Sequence, residues 1–117
     1  MGAVTPQPSP FADTPDPPYY AVIFTTTQTD DLEGYGAMAE EMERLAAEQP
    51  GYLGIETARS AGLGITVSYW TDEAAIAAWR DDVRHTATRN RGRAQWYAHY
   101  VLRVAKVERA SVWDRAR

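Results

Sequence analysis

YYAVIFTTT (19–27) gathers β-branched and aromatic residues and runs into the polar break TQTDD, which predicts a strand over 20–27. The apolar period then lengthens. Leu32, Tyr35, Met38, Met42 and Leu45 recur every three or four positions through an Ala/Glu-rich stretch that stops at Pro50-Gly51. That spacing predicts an amphipathic helix over about 32–48, with Gly34 and Gly36 weakening its first turn and shifting its start toward Ala37. YLGIETAR (52–59) and GLGITVSYW (62–70), parted by a short break at Ser60 and Ala61, read as a hairpin of two strands. Thr71 can cap the next helix, and Asp72 and Glu73 stand in its first turn, where the helix dipole favours acids. Ile76, Trp79, Val83 and Ala87 carry the apolar face of this second helix over about 72–90. After Asn90-Arg91-Gly92, the segment AQWYAHYVLRVAKVER predicts a short helical turn and a last strand over about 98–109.

The resulting order, βαββαβ, is α+β and fits a ferredoxin-like split βαβ unit: a four-stranded antiparallel sheet with both helices on one face. In the last strand Tyr100, Leu102 and Val104 alternate with Val101, Ala105 and Val107, which lie beside His99 and Arg103. In the first, Tyr20, Val22 and Phe24 oppose Ala21 and Ile23. Both faces are apolar enough to be buried, and in so short a chain that calls for a second subunit. The expectation is a homodimer packed sheet to sheet.

Composition narrows the class. One domain is expected from 117 residues, with an apolar share of 44% and a charged share of 24% typical of globular chains. Six of the seven prolines fall within residues 1–18, predicting a flexible arm there and a folded domain over 19–117. No apolar run approaches the roughly 18–20 residues of a membrane span and the first residues do not resemble a secretory leader, so a cytoplasmic protein with no membrane partner is expected. Without cysteine, and with two histidines, neither a thiolate nor a three-histidine metal site can form. Residues 80–117 hold ten basic residues against four acids, yet the net charge is −4, which argues against nucleic acid as a partner. Gly62 and Gly64 open a strand rather than a strand-to-helix turn, so no phosphate cradle is predicted.

The strings QPGYLGIE (49–56), ITVSYW (65–70), EAAIAAW (73–79), His85, GRAQWY (92–97) and RVAKVER (103–109) closely resemble the antibiotic biosynthesis monooxygenase (ABM) domain of the dimeric α+β barrel superfamily. The resemblance covers about 19–110. It implies a dimeric α+β barrel and an oxidoreductase of monooxygenase type: a small enzyme that oxidises a phenolic, polyketide-like aromatic with O2 and needs no cofactor. Two alternatives come with the family, a haem-binding or haem-degrading monooxygenase and a non-catalytic dimeric ligand-binding module. Quinone-forming members carry an asparagine one turn before a helix tryptophan, where this chain has Ala75. Haem-degrading members pair a strand-one asparagine with a histidine about ten residues after that tryptophan. Here the strand offers Thr25 and Thr26, and the later position is Arg89.

By the same resemblance Trp79 faces the cavity between helices and sheet, either as plain core or as a wall that stacks on a flat ring. His85 follows six residues later, a turn of roughly 240°, so it cannot share the centre of that face. It is either a solvated surface residue or a group at the cavity mouth acting as acid, base or iron ligand. Tyr69, Trp70, Trp96, Tyr97, Tyr100 and Phe24 supply aromatic density for a flat-ring pocket, in which Arg93 or Arg103 could hold a phenolate or carboxylate. Trp96 and Tyr97 could equally plug the barrel end or the dimer seam. Oxygenation without a cofactor needs the substrate ionised, hence a base, a cation near the oxyanion and a dry cavity. His85 or Tyr100 could serve as base and Arg93 as cation, with Trp79 as the wall. Neither a cofactor nor a metal is expected unless the haem reading holds.

Overall fold

The computed structural model describes residues 9–82 and 95–115. Its elements follow in the order β1 (Tyr19–Gln28), α1 (Tyr35–Ala47), β2 (Tyr52–Ser60), β3 (Leu63–Trp70), α2 (Glu73–Arg80) and β4 (Tyr97–Val107). All four predicted strands form, their ends displaced by at most two residues. They join one antiparallel sheet in the order β2-β3-β1-β4, the ferredoxin-like arrangement.

Local chemistry sets the helix ends. Gly34 adopts the left-handed conformation at φ 78°, so α1 starts at Tyr35 and Leu32 stays outside it. Asp72, rather than Thr71, caps α2: its backbone is extended and its carboxylate accepts from the Ala75 N–H at 2.8 Å. Thr71 instead uses its own N–H to bind the Gly51 carbonyl at 2.9 Å, which fastens the entry of β2 to the start of α2. The predicted second helix, 72–90, is shorter as observed, ending at Arg80 with Asp81 as its C-cap. Asp81 and Asp82 put two carboxylates at the negative end of the helix dipole, a poor place to extend a helix. The rest of that prediction, with Val83, His85 and Ala87, lies outside the described residues.

Strand register decides what faces the helices. Tyr20 pairs with Trp70, Val22 with Ser68, Phe24 with Thr66 and Thr26 with Gly64, so alternate residues of β1 and β3 line one face. Against it pack Leu45 and Ala46 of α1 and Ile76 and Trp79 of α2, closing a core with Trp70 and the flanking Val22, Met42 and Tyr52.

The opposite face carries Tyr19, Ala21, Ile23, Ile65, Val67, Tyr69, Arg103 and Ala105. Part of the proline-rich segment lies on it. The Ala12 N–H donates to Glu56 Oε2 at 3.1 Å, Tyr69 Oη donates to Glu56 Oε1 at 2.6 Å, and Thr14 Oγ1 donates to Tyr19 Oη at 3.2 Å. These contacts cover the start of β1, where Tyr19 and Ala21 are buried. Leu63 and Ile65, further along the same face, stay 46% and 40% exposed.

Candidate functional site

Between the helices and the sheet lies a cavity of about 450 Å³, within the ~300–1,000 Å³ range of small-molecule sites. One end is built around tryptophan. Trp79, held on α2 by the Ile76/Trp79 apolar face, stacks on Trp70 with centroids 6.2 Å apart and planes 25° apart. Trp70 is wholly buried, donates from Nε1 to Ser68 Oγ at 2.9 Å, and meets Tyr52 edge-on. Trp79 therefore presents ring surface to the cavity while its other side is core; Trp70 is core beneath it.

The other end is built around Phe24, which packs edge-on against Tyr97 at 5.4 Å and, tilted, against Tyr100 at 5.2 Å. Tyr35 of α1 closes on Trp96 and Tyr97, at 5.6 and 6.0 Å between centroids. Trp96 is locked in place: its indole Nε1 donates to the Glu33 carbonyl at 3.0 Å and its own carbonyl accepts from the Thr29 N–H at 2.8 Å. Those bonds bolt the chain entering β4 to the chain leaving β1, so Trp96 combines an end-plug with a place in the cavity wall.

Polar groups gather at this second end. Arg59 reaches from β2 across β3 to donate to Thr26 Oγ1 on β1 at 2.5 Å. Thr57 and Thr66, both lining the cavity, share a hydrogen bond of 2.8 Å. Burial pushes the Tyr97 hydroxyl's pKa up, a hydrogen bond with Tyr35 adds to the rise, and Arg59 lowers it only in part. The Tyr97 hydroxyl is therefore held in its protonated form at neutral pH.

Of the residues singled out in the sequence, Phe24, Trp79, Trp96 and Tyr97 line the cavity and Trp70 underlies it. Tyr100 sits on the same sheet face, opposite Thr26 and against Phe24 and Tyr97. Tyr69 and Arg103 do not join them. Both lie on the opposite face, where β1 pairs Ala21 with Tyr69 and Ile23 with Arg103, and the Tyr69 hydroxyl is committed to Glu56. Burial and that bond push Tyr69 up to about 12. His85 and Arg93 lie outside the described residues. Sequence reasoning missed Arg59, Tyr35, Thr57 and Ile55 as cavity residues. The signal for three of them was the two-residue period Ile55, Thr57, Arg59 along β2, which puts all three on one face. Among the described residues no group of three or more His, Asp and Glu side chains is placed to hold a metal ion, and no helix is long and apolar enough to cross a membrane.

A ferredoxin-like sheet with an aromatic cavity beneath two helices defines a small α+β domain of monooxygenase-like fold. Residues 18–91 match the model of the antibiotic biosynthesis monooxygenase family, and the chain belongs to that family. It is 54% identical over 102 residues, 86% of this chain and 90% of the relative, to YqjZ of Bacillus subtilis (strain 168), an uncharacterized protein. Among solved structures it resembles SnoaB, a cofactor-independent oxygenase from Streptomyces nogalater (TM-score 0.69, 12% identity, 80% of this chain and 97% of that one). It also resembles protein SO0527 from Shewanella oneidensis (TM-score 0.70, 10% identity, 80% of this chain and 94% of that one).

Proposed function

We propose that the chain is a small cytoplasmic, cofactor-independent monooxygenase that oxidises a phenolic, polyketide-like ring with O2 in the cavity between helices and sheet. The observation that carries this reading is the cavity itself, about 450 Å³ with an indole wall at Trp79 and tyrosine hydroxyls at its far end. A sealed core would serve a purely structural module; this volume suits a flat multi-ring ligand.

The chemistry needs no external reductant. A ring CH2 that lies between two aromatic rings and is conjugated through them to a carbonyl loses a proton to a base, and the resulting enolate gives an electron to O2. A carbon–oxygen bond then forms to yield a peroxide, and loss of water cleaves the O–O bond. One oxygen ends in a new carbonyl and the other in water, so the four electrons O2 accepts all come from CH2 becoming C=O. In this reading Trp79 stacks on the ring, Tyr97 donates a hydrogen bond to the developing oxyanion, and His85 and Arg93 are the base and cation proposed from sequence.

Oxygen uptake with hydroxylated anthrones tests it. One O2 should disappear per anthrone, with quinone absorbance rising at the same rate. Trp79→Phe should fold normally and raise KM about tenfold through lost stacking area. Saturable, His85-dependent haemin binding without anthrone turnover would replace this reading with the haem one. Ligand binding with no oxygen uptake would leave a binding module.

We further propose that two copies pack through the outer sheet face, where Ile65 and Leu63 are exposed beside Ile23 and Val67. Light scattering should give twice the 13.1 kDa chain mass. A stable monomer at micromolar concentration would overturn the dimer.

A further inference from the structure

We infer that Arg59 is the anion-recognising residue of the cavity, and that the ligand is an elongated aromatic whose rings lie toward Trp79 and whose carboxylate, enolate or phenolate meets the Arg59 guanidinium. This rests on the reading of the cavity as an aromatic site and deepens it. Among the described residues Arg59 and Arg80 are the cations in its lining, and Glu43 is the acid there. Arg80 already has Asp81 beside it at 3.9 Å. Arg59 donates to a neutral hydroxyl, Thr26, and among the described residues no carboxylate pairs with it. A guanidinium carries five N–H donors in a planar fork, so most of its hydrogen-bonding capacity remains for a ligand oxyanion.

Its placement is built rather than incidental. Arg59 pairs with Gly64, and Gly64 with Thr26, across three adjacent strands. The guanidinium lies directly over Gly64, where an added Cβ would collide with it. Glycine at that position is what lets the side chain cross β3 and lie along the cavity floor. Trp70, beneath Trp79, is six residues from Gly64 on the same strand, about 20 Å along it. Ring wall and cation therefore stand toward opposite ends of one cavity, which selects length as well as charge.

Fluorescence titration with 2-anthracenecarboxylate and its uncharged carboxamide tests this in wild type, Arg59→Met, Arg59→Gln and Gly64→Ala. Wild type should prefer the carboxylate by roughly tenfold, and the preference should shrink as salt is raised because the site is partly open to solvent. Arg59→Met and Arg59→Gln should weaken the carboxylate to about the level of the carboxamide while carboxamide binding falls far less, and the retained carboxamide binding also shows that the variants fold. Gly64→Ala keeps the charge but displaces it, and should lose part of the preference. An unchanged preference in Arg59→Met, with the carboxamide still bound, would overturn the role of Arg59 and leave the aromatic cavity standing. If neither probe binds wild type, both the cavity reading and the role of Arg59 fall.

Discussion

Trp70→Ala is expected to destabilise the domain by about 3–5 kcal/mol. Its side chain is fully buried, stacked on Trp79 and edge-on to Tyr52, and its indole N–H is bonded to Ser68. Alanine removes the ring stack that joins α2 to the sheet. The existing cavity lies alongside, so the void would merge with it rather than collapse. For a domain stable by ~5–15 kcal/mol this is about a fifth of the total at the least. Trp70→Phe keeps a ring, loses the Ser68 bond, and should cost about 1–2 kcal/mol. Urea unfolding checks both through the midpoint at constant slope. A Trp70→Ala midpoint equal to wild type would mean that Trp79 is held by something other than Trp70.

That contact also explains which parts of the site could be read from the sequence. The Ile76/Trp79 spacing marks one helix face, and a helix face this apolar must pack inward, so the inward side of Trp79 was legible from period while its place at a cavity came from the family resemblance. Strand alternation divides residues into two sets but does not say which set the helices cover. Tyr69 and Trp70 are adjacent in β3 and necessarily point to opposite faces. Both could not belong to one pocket, and the structure gives Trp70 to the cavity side and Tyr69 to Glu56. Arg103 fails for the same reason: it is out of phase with Leu102 and Val104, which line the cavity.

Arg59 was hidden more deeply. Its residue type and its position late in β2 look like a solvated strand end, and its contact with Thr26 depends on a three-strand register and on the missing side chain of Gly64. Neither is local in sequence. Tyr35 was legible as helix-face residue but not as the partner of Tyr97, because that pairing brings together elements some sixty residues apart. The end of α2 at Arg80 shows the limit of periodicity: apolar spacing continued through Val83 and Ala87, while the acids at Asp81 and Asp82 opposed the dipole.

Gly51→Ala is expected to cost about 3 kcal/mol and to loosen the site as well as the fold. Two independent terms add. Gly51 has φ 87°, where any Cβ carries roughly 1–2 kcal/mol of backbone strain. An added Cβ would also lie 2.6 Å from the Ala75 Cβ and 2.7 Å from Thr71 Oγ1, so the start of α2 must move outward at a further cost of about 1–3 kcal/mol. Gly62 separates the terms: its φ is 88° and nothing lies within 4 Å of its added Cβ. Gly62→Ala should therefore show the strain alone, and the difference between the two variants measures how tightly the β2 entry presses on α2. Ala75 is one turn before Trp79, so a shifted α2 carries the indole away from Trp70. Gly51→Ala should thus weaken binding of aromatic probes as well as lower the melting temperature, whereas Gly62→Ala lowers the melting temperature only. Equal losses of stability in the two variants, with aromatic binding unchanged in both, would show that the close approach of Gly51 to Ala75 does not position the cavity wall.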